Sequence, residues 1–112
     1  MGGLVIAGNA PERLLVRAAG PALANFGISD YLADPDLQLF QGQTVIAQND
    51  GWNGNATVAS VASHAQAFPF PANSRDAAMV YSFGPASYTV GVTSASGGSG
   101  VILFEVYEAP SD

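Results

Sequence analysis

The chain contains no cysteine and no lysine, and it has a single histidine and a single tryptophan. Without cysteine there is no disulfide framework to assign a redox compartment. Exported bacterial proteins often lack cysteine too, so the absence does not argue for the cytosol. Three arginines oppose nine carboxylates, for a formal net charge of −6. A nucleic-acid backbone or an anionic membrane surface would be repelled, and the expectation is no nucleic acid partner. No apolar run approaches the ~20 residues of a spanning helix, so no membrane insertion is expected. The start, Met1-Gly2-Gly3-Leu4-Val5-Ile6-Ala7-Gly8, lacks the basic residues and length of a signal peptide, so an exported form would carry its signal outside this sequence.

What is present is apolar and turn-rich: 48% hydrophobic and 11% charged residues, with 13 glycines and 7 prolines. That composition is unlike a helical bundle and like an all-β domain. The 112 residues suit one core. The expected fold is a two-layer antiparallel β-sandwich, jelly-roll-like, of about seven or eight strands with one short helix, a single domain over residues 1–112. Ser87–Ser94 alternates Tyr88, Val90 and Val92 against Ser87, Thr89, Gly91 and Thr93, the period of a half-buried strand. Val101–Tyr107 is apolar on both faces and predicts a strand that is covered on both sides or central. The Gly-rich bridge between the two runs reads as a hairpin.

Further local signals follow in chain order. Leu4–Ala7, closed by Gly8-Asn9-Ala10-Pro11, and Glu12–Ala19 read as a second hairpin. Gly20-Pro21 breaks the strand, and Ala22–Phe26 with Gly27 behind it fits one helical turn with a glycine stop. Leu37–Phe40 and Thr44–Ala47 flank Gln41-Gly42-Gln43 as a third hairpin. Val58, Val61, Ala62 and Ala65 recur at helical spacing and predict a helix over 56–67 with Asn55 as N-cap, ended by Phe68-Pro69-Phe70-Pro71. Ala77–Phe83 is a further strand.

This order of signals, from Arg13-Leu14-Leu15-Val16-Arg17-Ala18-Ala19-Gly20-Pro21 through Ala33-Asp34-Pro35-Asp36, Gln48-Asn49-Asp50-Gly51-Trp52 and Ser74-Arg75-Asp76 to Glu105-Val106-Tyr107, resembles a bacterial, verrucomicrobial-type, extracellular tandem-repeat β domain. Its second half is loosely similar to the pre-peptidase C-terminal β-sandwich domain. The resemblance implies a non-catalytic structural or accessory role, extracellular or at the cell surface. It also implies one more polar strand segment ahead of Gly2-Gly3.

Each candidate site also has a plainer role open to it. His64 has no nucleophile motif beside it, so no catalytic residue is expected and the chain is not read as an enzyme. Asp34, Asp36, Asn49 and Asp50 are hard oxygen donors that could hold Ca²⁺, or simply the turn formers these loops need. Trp52 with Asn53 could stack a sugar, or the indole could belong to the core. Arg17 and Glu105 lie in apolar strands, where a charge needs a partner, and an ion pair between them is expected to specify the fold. Leu4, Val5 and Ile6 form an apolar edge without a charged or proline gatekeeper. Either it pairs with a neighbouring copy or the polar tail Glu108–Asp112 covers it. The functional expectation is a structural module that self-associates through strand edges as a homo-oligomer, filament or tandem array. The alternative is a Ca²⁺- or carbohydrate-binding accessory module of an exported enzyme.

Overall fold

The computed structural model describes residues 2–6 and 8–109, with residues 2 and 4 described by their backbone. Ala7 of the first apolar run and residues 110–112 of the polar tail lie outside the described residues.

Among the described residues seven strands form two antiparallel sheets. β1 (Gly2–Ile6), β3 (Pro35–Gln41), β4 (Thr44–Asn49) and β6 (Ala86–Ser94) make one sheet in the order β1-β6-β3-β4. β2 (Glu12–Ala19), β5 (Ala77–Phe83) and β7 (Leu103–Glu108) make the other in the order β5-β2-β7. The sheets stack as a β-sandwich. Ile6, Leu37, Leu39, Tyr88 and Val90 from the larger sheet meet Leu14, Val16, Ala18 and Phe83 from the smaller. The Phe83 and Tyr88 rings cross edge to face at 4.9 Å, and the Tyr88 hydroxyl donates to the Gly84 carbonyl at 2.6 Å, so the phenol is buried without stranding its polar end.

A third layer covers the outer face of the small sheet. Leu15, Ala19 and Ala78 lie under Val58, Val61 and Ala62 of helix α1 (Ala56–His64), under Ala22 and Leu23 of the 3-10 turn Pro21–Phe26, and beside Trp52 and Phe70. The Asn55 side chain accepts from the Val58 N–H at 3.0 Å and caps the helix as its position predicts. The helix ends at His64, one turn earlier than the periodicity suggests, because Gln66 turns left-handed at φ 60°. Gly27 stops the 3-10 turn at φ 79°, and Gly42 makes the β3–β4 turn at φ 63°.

Two pairings differ from the sequence expectation. β1 and β2 are not a hairpin: β1 pairs with β6, and β2 sits between β5 and β7 in the other layer. β6 and β7 are likewise in different sheets, and residues 95–102 carry the chain across. In that crossing Val101 bridges Tyr31 in parallel, with Leu32 N–H donating to Val101 O and Val101 N–H to Asp30 O, both at 2.8 Å. The central strand buried on both faces is β2, not β7; Leu14, Val16 and Ala18 face the sandwich while Leu15, Arg17 and Ala19 face the helix layer. β7 is an edge strand.

Gly20 shows how tightly β2 is terminated. A Cβ there would stand 2.1 Å from the Leu32 carbonyl oxygen and 3.3 Å from Pro35 Cδ. That oxygen is backbone, so it yields only if the 31–35 segment moves. Gly20→Ala should therefore lower the unfolding free energy by about 3 kcal/mol, the upper end of an overpacking cost. Gly42→Ala, in open space at positive φ, should lose only about 1 kcal/mol by the same denaturant titration. Equal losses would show that crowding at Gly20 costs no more than positive φ at Gly42.

Candidate functional site

Arg17 is the most deeply buried charged cation described, 1% exposed, and the structure brings it together with Glu105. The two residues are direct partners in the β2–β7 register. Nη2 and Nε donate to the same carboxylate oxygen, Glu105 Oε1, at 2.7 and 3.0 Å. Nη1 donates to the Phe68 carbonyl at 2.8 Å. The guanidinium carbon lies 4.5 Å from the Phe68 ring centroid, 4.0 Å from that of Phe70 and 5.7 Å from that of Tyr107. The second carboxylate oxygen, Glu105 Oε2, accepts from the Tyr107 hydroxyl. A charge, a carbonyl and two ring faces thus replace the water that burial removes.

Phe68, Phe70 and Tyr107 were not singled out from sequence. The alternation Phe68-Pro69-Phe70-Pro71 carried a signal, since prolines hold the chain extended and set both rings on one side. The rings also brace each other, with centroids 5.7 Å apart, and Phe70 meets Trp52 edge to face at 6.0 Å.

Trp52 takes the core role. It is 7% exposed, its indole N–H donates to the Pro71 carbonyl at 3.0 Å, and its ring packs in the helix-layer cluster. Its edge reaches a cleft of about 370 Å³ lined by Arg17, Ala62, Ser63, Gln66 and Phe70, but the ring face a sugar would need is spent on neighbouring side chains. Asn53 is exposed at the adjacent turn with φ 54°.

The β3–β4 register sets Leu37 opposite Asn49, so the four oxygen donors share one end of that hairpin, but their side chains have separate surroundings. Asp36 accepts twice from the Gln48 side chain, at 3.0 and 2.9 Å. Asp34 lies 3.7 Å from Arg75. Asn49 Oδ1 accepts from the Gly51 and Ala78 N–H groups at 3.2 and 3.1 Å, and Asp50 is exposed. Among the described residues no three His, Asp or Glu side chains form a group that could hold a metal ion. His64 is exposed, with Nδ1 2.9 Å from the Ser60 carbonyl oxygen of its own helix. Asp76 is fully buried and accepts from the Gly20 and Ala22 N–H groups at 2.7 and 3.0 Å and from the Ser74 hydroxyl. It ties the start of β5 to the end of β2.

The apolar edge belongs to the larger sheet. β1 is the outermost strand of the larger sheet and Val5 is 71% exposed, whereas Ile6 points into the sandwich. Beside it at the end of the smaller sheet, Phe104 and Val106 of β7 remain 39% and 38% exposed, with Val101 and Leu103 also open. Among the described residues no helix is long and apolar enough to cross a membrane. Comparison with known proteins finds no matching family, no curated relative and no similar solved structure.

Two outcomes test the Arg17 cluster. Arg17→Met or Glu105→Gln alone should cost about 3 kcal/mol or more, because each strands a buried polar partner, and the double variant should cost less than the sum. Strict additivity in chemical denaturation would show that the pair does not couple.

Burial pushes the Tyr107 hydroxyl above its ordinary value, its hydrogen bond to Glu105 and that carboxylate's charge push the same way, and the Arg17 charge opposes them. A raised value means that the fold favours the neutral phenol. Its contribution is complete below the unfolded value of about 10 and is lost as pH rises through the higher folded one. Stability of the parent should fall more steeply above about pH 10 than that of Tyr107→Phe. Parallel curves would place Tyr107 outside the linkage.

Proposed function

We propose that this domain is a non-catalytic structural module of an extracellular protein or assembly and works by associating with copies of itself through its strand edges. The observation that carries the reading is the open end of the sandwich, where β1 and β7 both finish their sheets with large apolar side chains in water. Edge strands normally carry lysine, proline or inward charges that discourage pairing. β1 has none of these, and the chain has no lysine to supply one. The interior offers little competing chemistry: every buried side-chain nitrogen and oxygen among the described residues has a partner. The Arg17 cluster binds its own strands together, and such saturation suits a scaffold. The extracellular setting follows from the resemblance to tandem-repeat domains, which is also the ground for expecting like neighbours.

Light scattering over a concentration series tests the reading. The parent should gain mass as concentration rises, and Val5→Lys should return it toward the monomer while keeping the parent's circular dichroism, since Val5 projects into water. A parent that remains monomeric at millimolar concentration would remove self-association as the function.

A further inference from the structure

The two open edges are on the same side of the sandwich. β4 and β5, the other two edge strands, meet at the opposite side, and β3 lies across β2 and β5, so β1 and β7 end their sheets together at this side. The β7 edge is also ready to pair. Ala109 N–H donates to Arg13 O at 2.9 Å, which makes 13 and 109 a hydrogen-bonded pair in this antiparallel register. Alternation then puts 15 with 107, 17 with 105 and 19 with 103 in the same class. Phe104, Val106 and Glu108 therefore turn their N–H and C=O groups away from β2, toward the open edge. Their side chains belong to the sandwich face, because their β2 partners Ala18, Val16 and Leu14 are buried there. Phe104 and Val106 thus stand at the rim of the inter-sheet core and remain partly open to water.

We propose that two copies join side by side by reciprocal pairing, β1 of each with β7 of the other, around a twofold axis that runs along the strands. Each three-stranded sheet then continues into the partner's four-stranded sheet, three plus four giving two seven-stranded sheets around one merged core. This rests on the self-association reading above and names its partner and its edges.

Charge favours this arrangement over pairing like edges at this side. Pairing β7 with β7 would bring Glu105 and Glu108 of both copies onto one ladder, where like charges across strands are unfavourable. Pairing β1 with β1 would leave both β7 edges open. β1 carries no charge, and Glu105 is already neutralised by Arg17, so the reciprocal contact meets only Glu108. The contact uses both edges of each copy at once and so closes at two rather than growing into a fibre. With a net charge of −6 on each chain, added salt should strengthen it by screening.

The absence of cysteine gives a clean test. Ser87 is exposed on the outer face of β6, opposite Val5 and one strand in from the edge, so a nitroxide on Ser87→Cys labels that side without blocking it. Labelled chain is mixed with ¹⁵N-labelled parent. The expected result is a mass of two chains and intermolecular broadening centred on the amides of residues 103–108 of the partner, about 10 Å away across two strand spacings. Broadening centred on residues 2–6, or mass that keeps rising with concentration, would overturn the reciprocal dimer while leaving self-association standing. A single-chain mass at every concentration and salt would overturn both. As an independent arm, Val106→Lys should abolish the dimer and the broadening while keeping the parent's circular dichroism; a dimer that persists in this folded variant would also overturn the proposal.

Discussion

The burial of Arg17 is the constraint on which the arrangement of the small sheet depends. Taking a guanidinium out of water costs several kcal/mol even after relaxation. Three separate segments have to arrive together to offset that cost: β2 with the charge, β7 with Glu105 and Tyr107, and the stretch after α1 with the Phe68 carbonyl and two rings. The register of β7 is thereby fixed. A slip of one residue would turn Glu105 to the sandwich face and Phe104 and Val106 to the helix layer. A slip of two would keep the faces but separate the charges along the ladder. The apolar pattern of β7 alone does not forbid the second slip. The ion pair does.

Asp76 and Asn49 perform similar work at other joints. Each places a side-chain oxygen where a backbone acceptor is missing: Asp76 at the entry to the 3-10 turn, Asn49 between the loop after β4 and the start of β5. A chain with only 11% charged residues spends several of its polar groups indoors. Of its three cations, Arg17 is buried, Arg13 reaches the Ala109 carbonyl and Arg75 stands beside Asp34. None lies in β1 or β7 to repel an incoming strand. The polar economy that specifies the fold therefore also leaves the edges unguarded.

Local elements were legible in the sequence, and long-range partners were legible only where chemistry demanded one. The β3–β4 hairpin, the Asn55 cap and the Gly27 stop are written in residues a few positions apart, and Arg17 with Glu105 could be matched because an apolar strand cannot hold a lone charge. The β1–β2 and β6–β7 hairpins were misread because turn formers mark where a chain bends and not which sheet it enters next. Central burial was assigned to β7 rather than β2 for a related reason. Ala18, Ala19 and Arg17 dilute the apolar signal of β2, although small residues and a paired cation fit a strand covered on both sides. At the donor loops and at Trp52 the sequence leaves two roles open, because turn residues and metal ligands share a vocabulary, as do core and sugar-stacking aromatics.

The mismatch at β7 is informative in its own right. Its sequence demands cover on both faces, and within the described chain it receives cover chiefly from β2 and the helix layer, with the rim of the sandwich left open. An apolar pattern in excess of what the described chain buries is what the proposed partner strand would cover. The limits on that cover are equally physical. β1 offers five residues, so any ladder built on it is short and its affinity comes as much from covering Phe104 and Val106 as from backbone bonds. A chain of net charge −6 opposes contact over most of its surface. Under the proposed pairing, contact would be confined to an end of the sandwich whose edge strands carry two carboxylates, Glu105 and Glu108, the first of them already paired with Arg17.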